Sequence, residues 1–202
     1  MTFKDFAEHA HSRRAQLLPA HVLALRVYTT SAFRSLNDPL RQGTRPHPLP
    51  ITIAFLTDGV RRLRAVSANR DDAYMRQDFW RGMRNVELGQ ALPDSFHTKG
   101  GTEQAPMSTT SDFAVALHYS AGSQTRLLFK VTTAGFMERG ASVQYLSAFP
   151  AEAESLFPPL TYLRPTGEIE HVEVEMMTGL VGKKVASMVN FTIVEVSPHF
   201  PS

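Results

Sequence analysis

The sequence predicts an α+β fold, helices first and two modest β-sheets after, on three observations. Apolar residues recur at helical spacing through the first third of the 202 residues. From Asp78 onward they come in short runs punctuated by Gly, Pro and Ser. No internal repeat or low-complexity segment interrupts either part. With 43% hydrophobic residues, a chain of this length buries one sizeable core. A single domain over 1–202 is therefore expected, with 1–70 mainly helical and 71–202 mainly β.

Taken in order, Thr2 and Asp5 form a helix-capping pair, and Phe3, Phe6, Ala7 and Ala10 follow at helical spacing. That helix is expected to end near Leu18-Pro19, because the residue before a proline is pushed out of the helical region. A second pattern carries Val22, Leu25, Tyr28, Ala32 and Leu36 and meets a boundary at Asn37-Asp38-Pro39. Gly43 to Pro50, with three prolines, reads as loop, and Ile51 to Val66 as an amphipathic helix with its arginines outward. Strands are expected near Phe79–Met83, Ala105–Ser108, Arg126–Val131, Val143–Phe149, Ser155–Leu163, His171–Met176 and Val185–Val196. One short helix falls among them, with Ser111-Asp112 as cap and Phe113, Val115, Ala116, Leu117 and Tyr119 behind it.

Composition excludes several function classes. A formal charge of +2 is too small to argue for nucleic acid, and Arg61-Arg62-Leu63-Arg64 lacks the aromatic interleaving of a single-strand surface. The absence of cysteine removes disulfides, thiolate nucleophiles and Cys-based metal sites. The eight histidines show no His-Glu-x-x-His spacing, and His9 and His11, two apart in an expected helix, should diverge, so no metal is expected. The N-terminus has no basic region followed by an apolar run, and no stretch of about eighteen apolar residues occurs, so a soluble chain is expected, whether or not a segment once preceded it. Thr178 to Lys184 lacks the spacing of a phosphate loop and reads as a hairpin turn, and Gly100-Gly101 as a turn between strands.

The chemistry-bearing stretch is Ser147 to Pro159, where Glu152 and Glu154 run into an apolar strand candidate. In extended backbone, carboxylates two residues apart share one face, roughly 6 to 7 Å from each other. Such a pair can divide work around one anomeric carbon, one group facing an oxocarbenium-like cation and the other preparing the nucleophile. An isolated Glu-x-Glu is ordinarily only the solvent face of an edge strand. The company it keeps changes that reading: Phe79-Trp80-Arg81-Gly82-Met83 on a first strand, and Met107-Ser108-Thr109-Thr110-Ser111 running from a strand into a helix.

In that order the three pieces resemble the Arg, Ser-Thr-Ser, Glu-x-Glu signature of the arginine-specific mono-ADP-ribosyltransferases. The likeness spans about Tyr28 to Val196 and includes Ser35-Leu36-Asn37-Asp38-Pro39-Leu40-Arg41 and the closing Phe191 to Val196. It implies an ADP-ribosyltransferase-like fold in which the sheets flank an NAD cleft. NAD is then the co-substrate and an arginine-bearing protein the acceptor, with no metal, nucleic acid or membrane segment involved.

Cleaving the nicotinamide–ribose bond leaves positive charge on the sugar while nicotinamide departs neutral, so a fixed carboxylate near the developing cation is the main requirement. That role is assigned to Glu154. Arg81 is expected to bind the diphosphate through its planar fork. Gly82 leaves room for a ligand at the backbone, and the resemblance implies that its main chain holds the nicotinamide amide. Ser108 is expected to orient Glu154 and the nicotinamide ribose through its hydroxyl, with Thr109 expected beside it in the cofactor site. The third position of the motif departs from the family, being Thr110 with Ser111 after it, and Thr110 is read as scaffold. Tyr119 and Trp80 are candidate faces for nicotinamide or adenine, although aromatics at such positions are more often core. Phe149 is a candidate acceptor contact. Glu152 carries the specificity argument, because a protonated guanidinium needs a carboxylate to grip it and draw off its proton.

Two alternatives stand beside this reading: an NAD glycohydrolase using water as acceptor, and a non-catalytic interaction domain that keeps the fold. Without the disulfides and secretory signals of the family's cell-surface members, a cytoplasmic enzyme, or a secreted effector or toxin acting inside a host cell, is the expected setting.

Overall fold

Eight strands form one mixed sheet behind an N-terminal helical layer in this computed structural model, which describes residues 2–69, 71–83, 95–120, 126–178 and 185–200. The expected capping box is present at Thr2 and Asp5. The first helix, however, is two: α1 (Phe3–Ala7) and α2 (Ala10–Arg14). His9 breaks it by acting as N-cap, its Nδ1 accepting from the His11 amide at 3.2 Å. The expected divergence of His9 and His11 is corrected accordingly. Their rings stack at 5.1 Å, and both lie against Tyr145.

Pro19 opens α3 (Pro19–Tyr28), as the Leu18-Pro19 boundary requires. Thr29 and Thr30 then turn their hydroxyls back to the carbonyls of Arg26 and Val27 and end it. The second helical pattern is thereby split, and α4 (Phe33–Arg41) runs straight through the boundary expected at Asn37-Asp38-Pro39. Tertiary anchors on either side of Pro39 outweigh its helix-breaking tendency. Asn37 is buried and donates to the Tyr28 hydroxyl and the Pro106 carbonyl, while Arg41 grips Glu103. Helix α5 (Pro50–Val66) packs on α3 through Leu25, Leu56, Val60 and Leu63, and the buried His21 reaches Asp58 at 3.0 Å to pin the two together. No helix among the described residues is long and apolar enough to cross a membrane.

The strands are β1 (Gln77–Met83), β2 (Gly101–Glu103), β3 (Met107–Thr110), β4 (Arg126–Thr133), β5 (Ala141–Ser142), β6 (Glu154–Phe157), β7 (Thr161–Thr178) and β8 (Val185–His199), in sheet order β2-β7-β8-β4-β1-β3-β6-β5. The two sheets read from the sequence are its two wings. The β2-β7-β8-β4-β1 and β3-β6-β5 groups meet at one register pair, Trp80 with Thr110. Among the described residues, two short helices lie between the strands, α6 (Phe96–Lys99) and the expected α7 (Phe113–Tyr119), whose cap is Asp112 accepting from the Ala114 amide.

Several expected strands differ in detail. Val143–Phe149 is a series of turns, because Val143 and Leu146, three apart, both point into the helical core. Ser155–Leu163 divides at Pro158-Pro159-Leu160, where Leu160 adopts φ 64°. The strand expected at 171–176 lies in the C-terminal half of an 18-residue strand. Gly100 ends α6 with φ 67°, and Gly101 opens β2, rather than the two forming a turn between strands. Residues 179–184, read as a hairpin turn, lie outside the described residues.

The core has three parts. The helices share one with Ala141, Val143 and Leu146 and with Leu156 of β6. A second covers one face of the larger wing through Phe79, Phe129, Val131, Val194 and Phe157. The third lies on the opposite face, where α7 covers Leu128, Phe191 and Ile193.

Candidate active site

The junction between the wings is where the chemistry-bearing residues meet. Arg81 sits in β1 opposite Phe129, and its side chain crosses toward β3, donating from Nη1 to the Ser108 carbonyl at 3.0 Å. Its Nη2 lies 3.6 Å from Glu103 Oε2. Burial pulls the guanidinium below its ordinary range, and Glu103 opposes that shift. An arginine retains its charge in such a setting.

Ser108 pairs with Leu156 across the β3–β6 ladder, so Glu154 is its diagonal neighbour on the same face. The Ser108 hydroxyl donates to Glu154 Oε1 at 2.7 Å. Glu154 is only 8% exposed. Burial raises its carboxyl above the usual range and the charge of Glu152 pushes the same way, while hydrogen bonds from Ser108 and Ser147 pull it back.

Glu152 and Glu154 are not alternate residues of one strand, and the expected extended geometry is corrected here. Glu152 ends a 3₁₀ turn, Pro150–Glu152, and Ala153 follows in the left-handed region at φ 47°, ψ 45°, before β6 begins at Glu154. For an L residue that conformation costs roughly 1–2 kcal/mol, and such strain is held only where surrounding structure enforces it. The enforcing contacts come from two sides: Thr110 Oγ1 donates to the Glu152 carbonyl at 2.6 Å, and the Tyr119 hydroxyl donates to Glu152 Oε1. Thr110 thus acts as scaffold on both sides, since its hydroxyl also accepts from the Asp112 amide that begins α7.

The remaining candidates divide. Tyr119 stands at the site, partly exposed. Phe149 is 57% exposed at the entrance to the turn that carries Glu152. Thr109 is buried, its hydroxyl donating to the Ser155 carbonyl, and by strand alternation it faces away from Ser108. Trp80 packs against Phe113 under α7, on the face opposite Arg81. Gly82 has a reason the sequence did not suggest. A Cβ there would stand 2.5 Å from the Ala116 carbonyl oxygen and 2.9 Å from the Ser120 amide, so the glycine lets α7 lie directly on β1.

Sequence reasoning missed a second cation and its partner. Arg41 donates from Nε and Nη2 to the two oxygens of Glu103 at 3.0 and 3.1 Å, which brings two guanidiniums to one carboxylate. Arg41 lies in a stretch that carried the family resemblance, but Glu103 follows two glycines in a segment with no periodicity to mark it. Ser147 was also missed as a partner of Glu154; it is buried, and its hydroxyl accepts from the Phe149 amide at 3.0 Å.

Chemically, the arrangement offers a desolvated carboxylate held by a serine, a second carboxylate held by a phenol, and a cluster with more positive than negative charge beside them. That cluster suits an anionic ligand, and the buried carboxylate suits a developing cation.

No protein-family model matches the chain, and no curated protein matches it in sequence. Solved structures do match. Vis, an ADP-ribosyltransferase toxin from Vibrio splendidus, aligns over 98% of this chain and 81% of its own, with TM-score 0.63 and 21% identity. Vis has also been solved in complex with agmatine. The ADP-ribosyltransferase HopU1 of Pseudomonas syringae pv. Tomato DC3000 aligns over 96% of this chain and 85% of its own, with TM-score 0.63 and 18% identity. A mutant of the eukaryotic mono-ADP-ribosyltransferase ART2.2 in complex with NADH aligns over 99% and 75%, with TM-score 0.58 and 17% identity. The fold of this chain is that of the ADP-ribosyltransferases.

Proposed function

We propose that the protein is a mono-ADP-ribosyltransferase that moves ADP-ribose from NAD to arginine side chains of a target protein and releases nicotinamide. The observation that carries the reading is the unequal treatment of the two carboxylates: Glu154 buried on Ser108, and Glu152 held by Tyr119 on the turn that follows the exposed Phe149. The excess of guanidinium over carboxylate around Arg81 fits the diphosphate of NAD, and the agmatine complex of Vis supports a guanidine as acceptor.

NAD supplies the scissile bond between nicotinamide and ribose. Arg81 holds the diphosphate, with Arg41 within reach of the same seat. Ser108 fixes Glu154 against the ribose, where the carboxylate faces the positive charge that develops as the bond stretches. Low exposure of Glu154 strengthens that interaction by excluding water. Glu152 then receives the guanidinium, pairs with it and accepts its proton during attack. Phe149 offers an apolar surface to the acceptor. The neighbours that are toxins support an effector or toxin role inside a host cell.

The test is incubation with NAD and a small guanidine acceptor, comparing wild type with Glu152→Gln. Transfer to the guanidine should fall by roughly a hundredfold, the order expected for loss of a general base, while nicotinamide release into water continues. A wild-type protein that releases nicotinamide without forming an adduct is instead a glycohydrolase. One that does neither is a binding domain, and the proposal fails.

A further inference from the structure

Glu103 has no place in the chemistry above, yet it is held by both of its carboxylate oxygens. It ends β2, where it is paired with the buried Thr161, and its carbonyl accepts from the Leu160 amide at 2.8 Å. The carboxylate is only 15% exposed. Its Oε1 accepts from the Ala105 amide at 3.1 Å as well as from Arg41 Nε at 3.0 Å, its Oε2 accepts from Arg41 Nη2 at 3.1 Å, and Arg81 Nη2 stands 3.6 Å away. A backbone amide and a two-pronged arginine contact hold it in place, so it is not a loose surface ion pair.

The position is paradoxical for a site that takes an anion. Glu103 uses the Nε and Nη2 edge of Arg41, the edge that a phosphate would grip with two hydrogen bonds. It also brings negative charge to the seat itself. In the free protein the same contacts are useful. Two guanidiniums brought together repel, and a carboxylate between them offsets that repulsion and keeps both side chains ordered.

We propose that Glu103 is a built-in occupant of the anion seat: it neutralises and orders Arg41 and Arg81 in the free protein, and the diphosphate of NAD must compete with it for them. The residue thereby sets how much negative charge a ligand must carry to enter. This rests on the reading of Arg81 as a diphosphate ligand, and it assigns Glu103 an opposing role that the reading does not contain. A glutamine of the same shape removes that negative charge while its amide oxygen can still accept from the Ala105 amide and Arg41 Nε, so the arginines stay placed and the seat becomes more positive.

The experiment is titration calorimetry of Glu103→Gln and wild type with NAD, inorganic pyrophosphate and nicotinamide riboside, together with thermal unfolding of the free proteins. Expected is a roughly tenfold gain in affinity for NAD and for pyrophosphate, and no gain for the riboside, which lacks phosphate and carries a positive ring. The free mutant should also melt below wild type, because its arginines have lost their counter-charge. Equal or weaker NAD binding by a folded Glu103→Gln would overturn the proposal, since a residue that merely positions the arginines gives that result. If the glutamine variant does not fold, Glu103→Asn serves instead: it is neutral and shorter, so it removes the competing charge from Arg41, and unchanged or weaker pyrophosphate binding by the folded variant overturns the proposal equally. Failure of wild type to bind NAD at all is a different outcome, which removes the underlying reading and the proposal with it.

Discussion

Ser108 and Glu154 are joined by a 2.7 Å hydrogen bond between neighbouring strands, and that bond opposes the burial that raises the carboxyl. Only the ionised form can stabilise a cation, so nicotinamide release should fall as pH drops through the folded-state value of Glu154, above the ordinary 4.5. The two neighbours act with opposite sign. Ser108→Ala removes a bond that favours the carboxylate, and the acid limb should move to higher pH. Glu152→Gln removes a repelling charge, and the limb should move lower. Profiles of nicotinamide release against pH for the three proteins check this. Limbs that shift in the same direction would show that another group titrates.

Glu154→Gln is expected to reduce nicotinamide release by a hundredfold or more while leaving NAD binding largely intact, since removal of a preorganised charge costs about 2.7–4 kcal/mol in the transition state. Stability should change the other way. A carboxyl raised by burial contributes stability that is complete below its unfolded value and is lost as pH rises through its folded value. At neutral pH the wild type therefore bears the cost of a buried carboxylate, and the glutamine variant should melt at an equal or higher temperature. The difference should close in acid. A glutamine variant with near-wild-type turnover would remove Glu154 from the catalytic role.

What could be read from the sequence was what local pattern controls. The helical period of Ile51 to Val66, the Asp112 cap and the apolar runs at Phe79 and Arg126 all lie where the structure has helix or strand. Arg81, Ser108, Glu152 and Glu154 could be chosen together because their motifs came in order, and the fold brings those motifs to one junction. The path of the chain between Glu152 and Glu154 was not legible. Alternation suggests extended backbone, whereas a left-handed Ala153 is imposed from a distance by Thr110 and Tyr119. Pro39 misled for the same reason, because Asn37 and Arg41 are anchored to residues more than sixty positions away. Glu103 had no local signal at all; its importance comes from two arginines that meet only after folding.

Gly82→Ala tests the packing account of that glycine. The added methyl would meet the Ala116 carbonyl oxygen at 2.5 Å and the Ser120 amide at 2.9 Å, both backbone atoms of the helix and its end, so neither can swing aside as a side chain does. Overpacking of this kind typically costs about 1–3 kcal/mol. Thermal or denaturant unfolding should show that loss, and NAD binding should weaken with it, because Arg81 is the adjoining residue. An alanine variant as stable as wild type would mean that α7 does not rest on β1 as described.

Tyr119→Phe separates the ring of that residue from its hydroxyl. The phenol donates to Glu152 Oε1, while the Glu152 backbone is held independently by Thr110. Removing the hydroxyl leaves the 3₁₀ turn and the packing of α7 in place but frees the Glu152 side chain, which must then be ordered at each transfer. Ordering a glutamate side chain costs up to roughly 1.5–2 kcal/mol, so transfer to a guanidine acceptor should fall about tenfold. On the proposed division of labour, hydrolysis of NAD requires neither Glu152 nor the phenol and should stay within about twofold of wild type. The measurement is the ratio of ADP-ribosylated guanidine to free ADP-ribose at saturating NAD. A ratio unchanged from wild type would mean that the hydroxyl does not position Glu152. A parallel fall in both products would place Tyr119 with Glu154 in bond cleavage, and the division of labour between the two carboxylates would have to be redrawn around the ring.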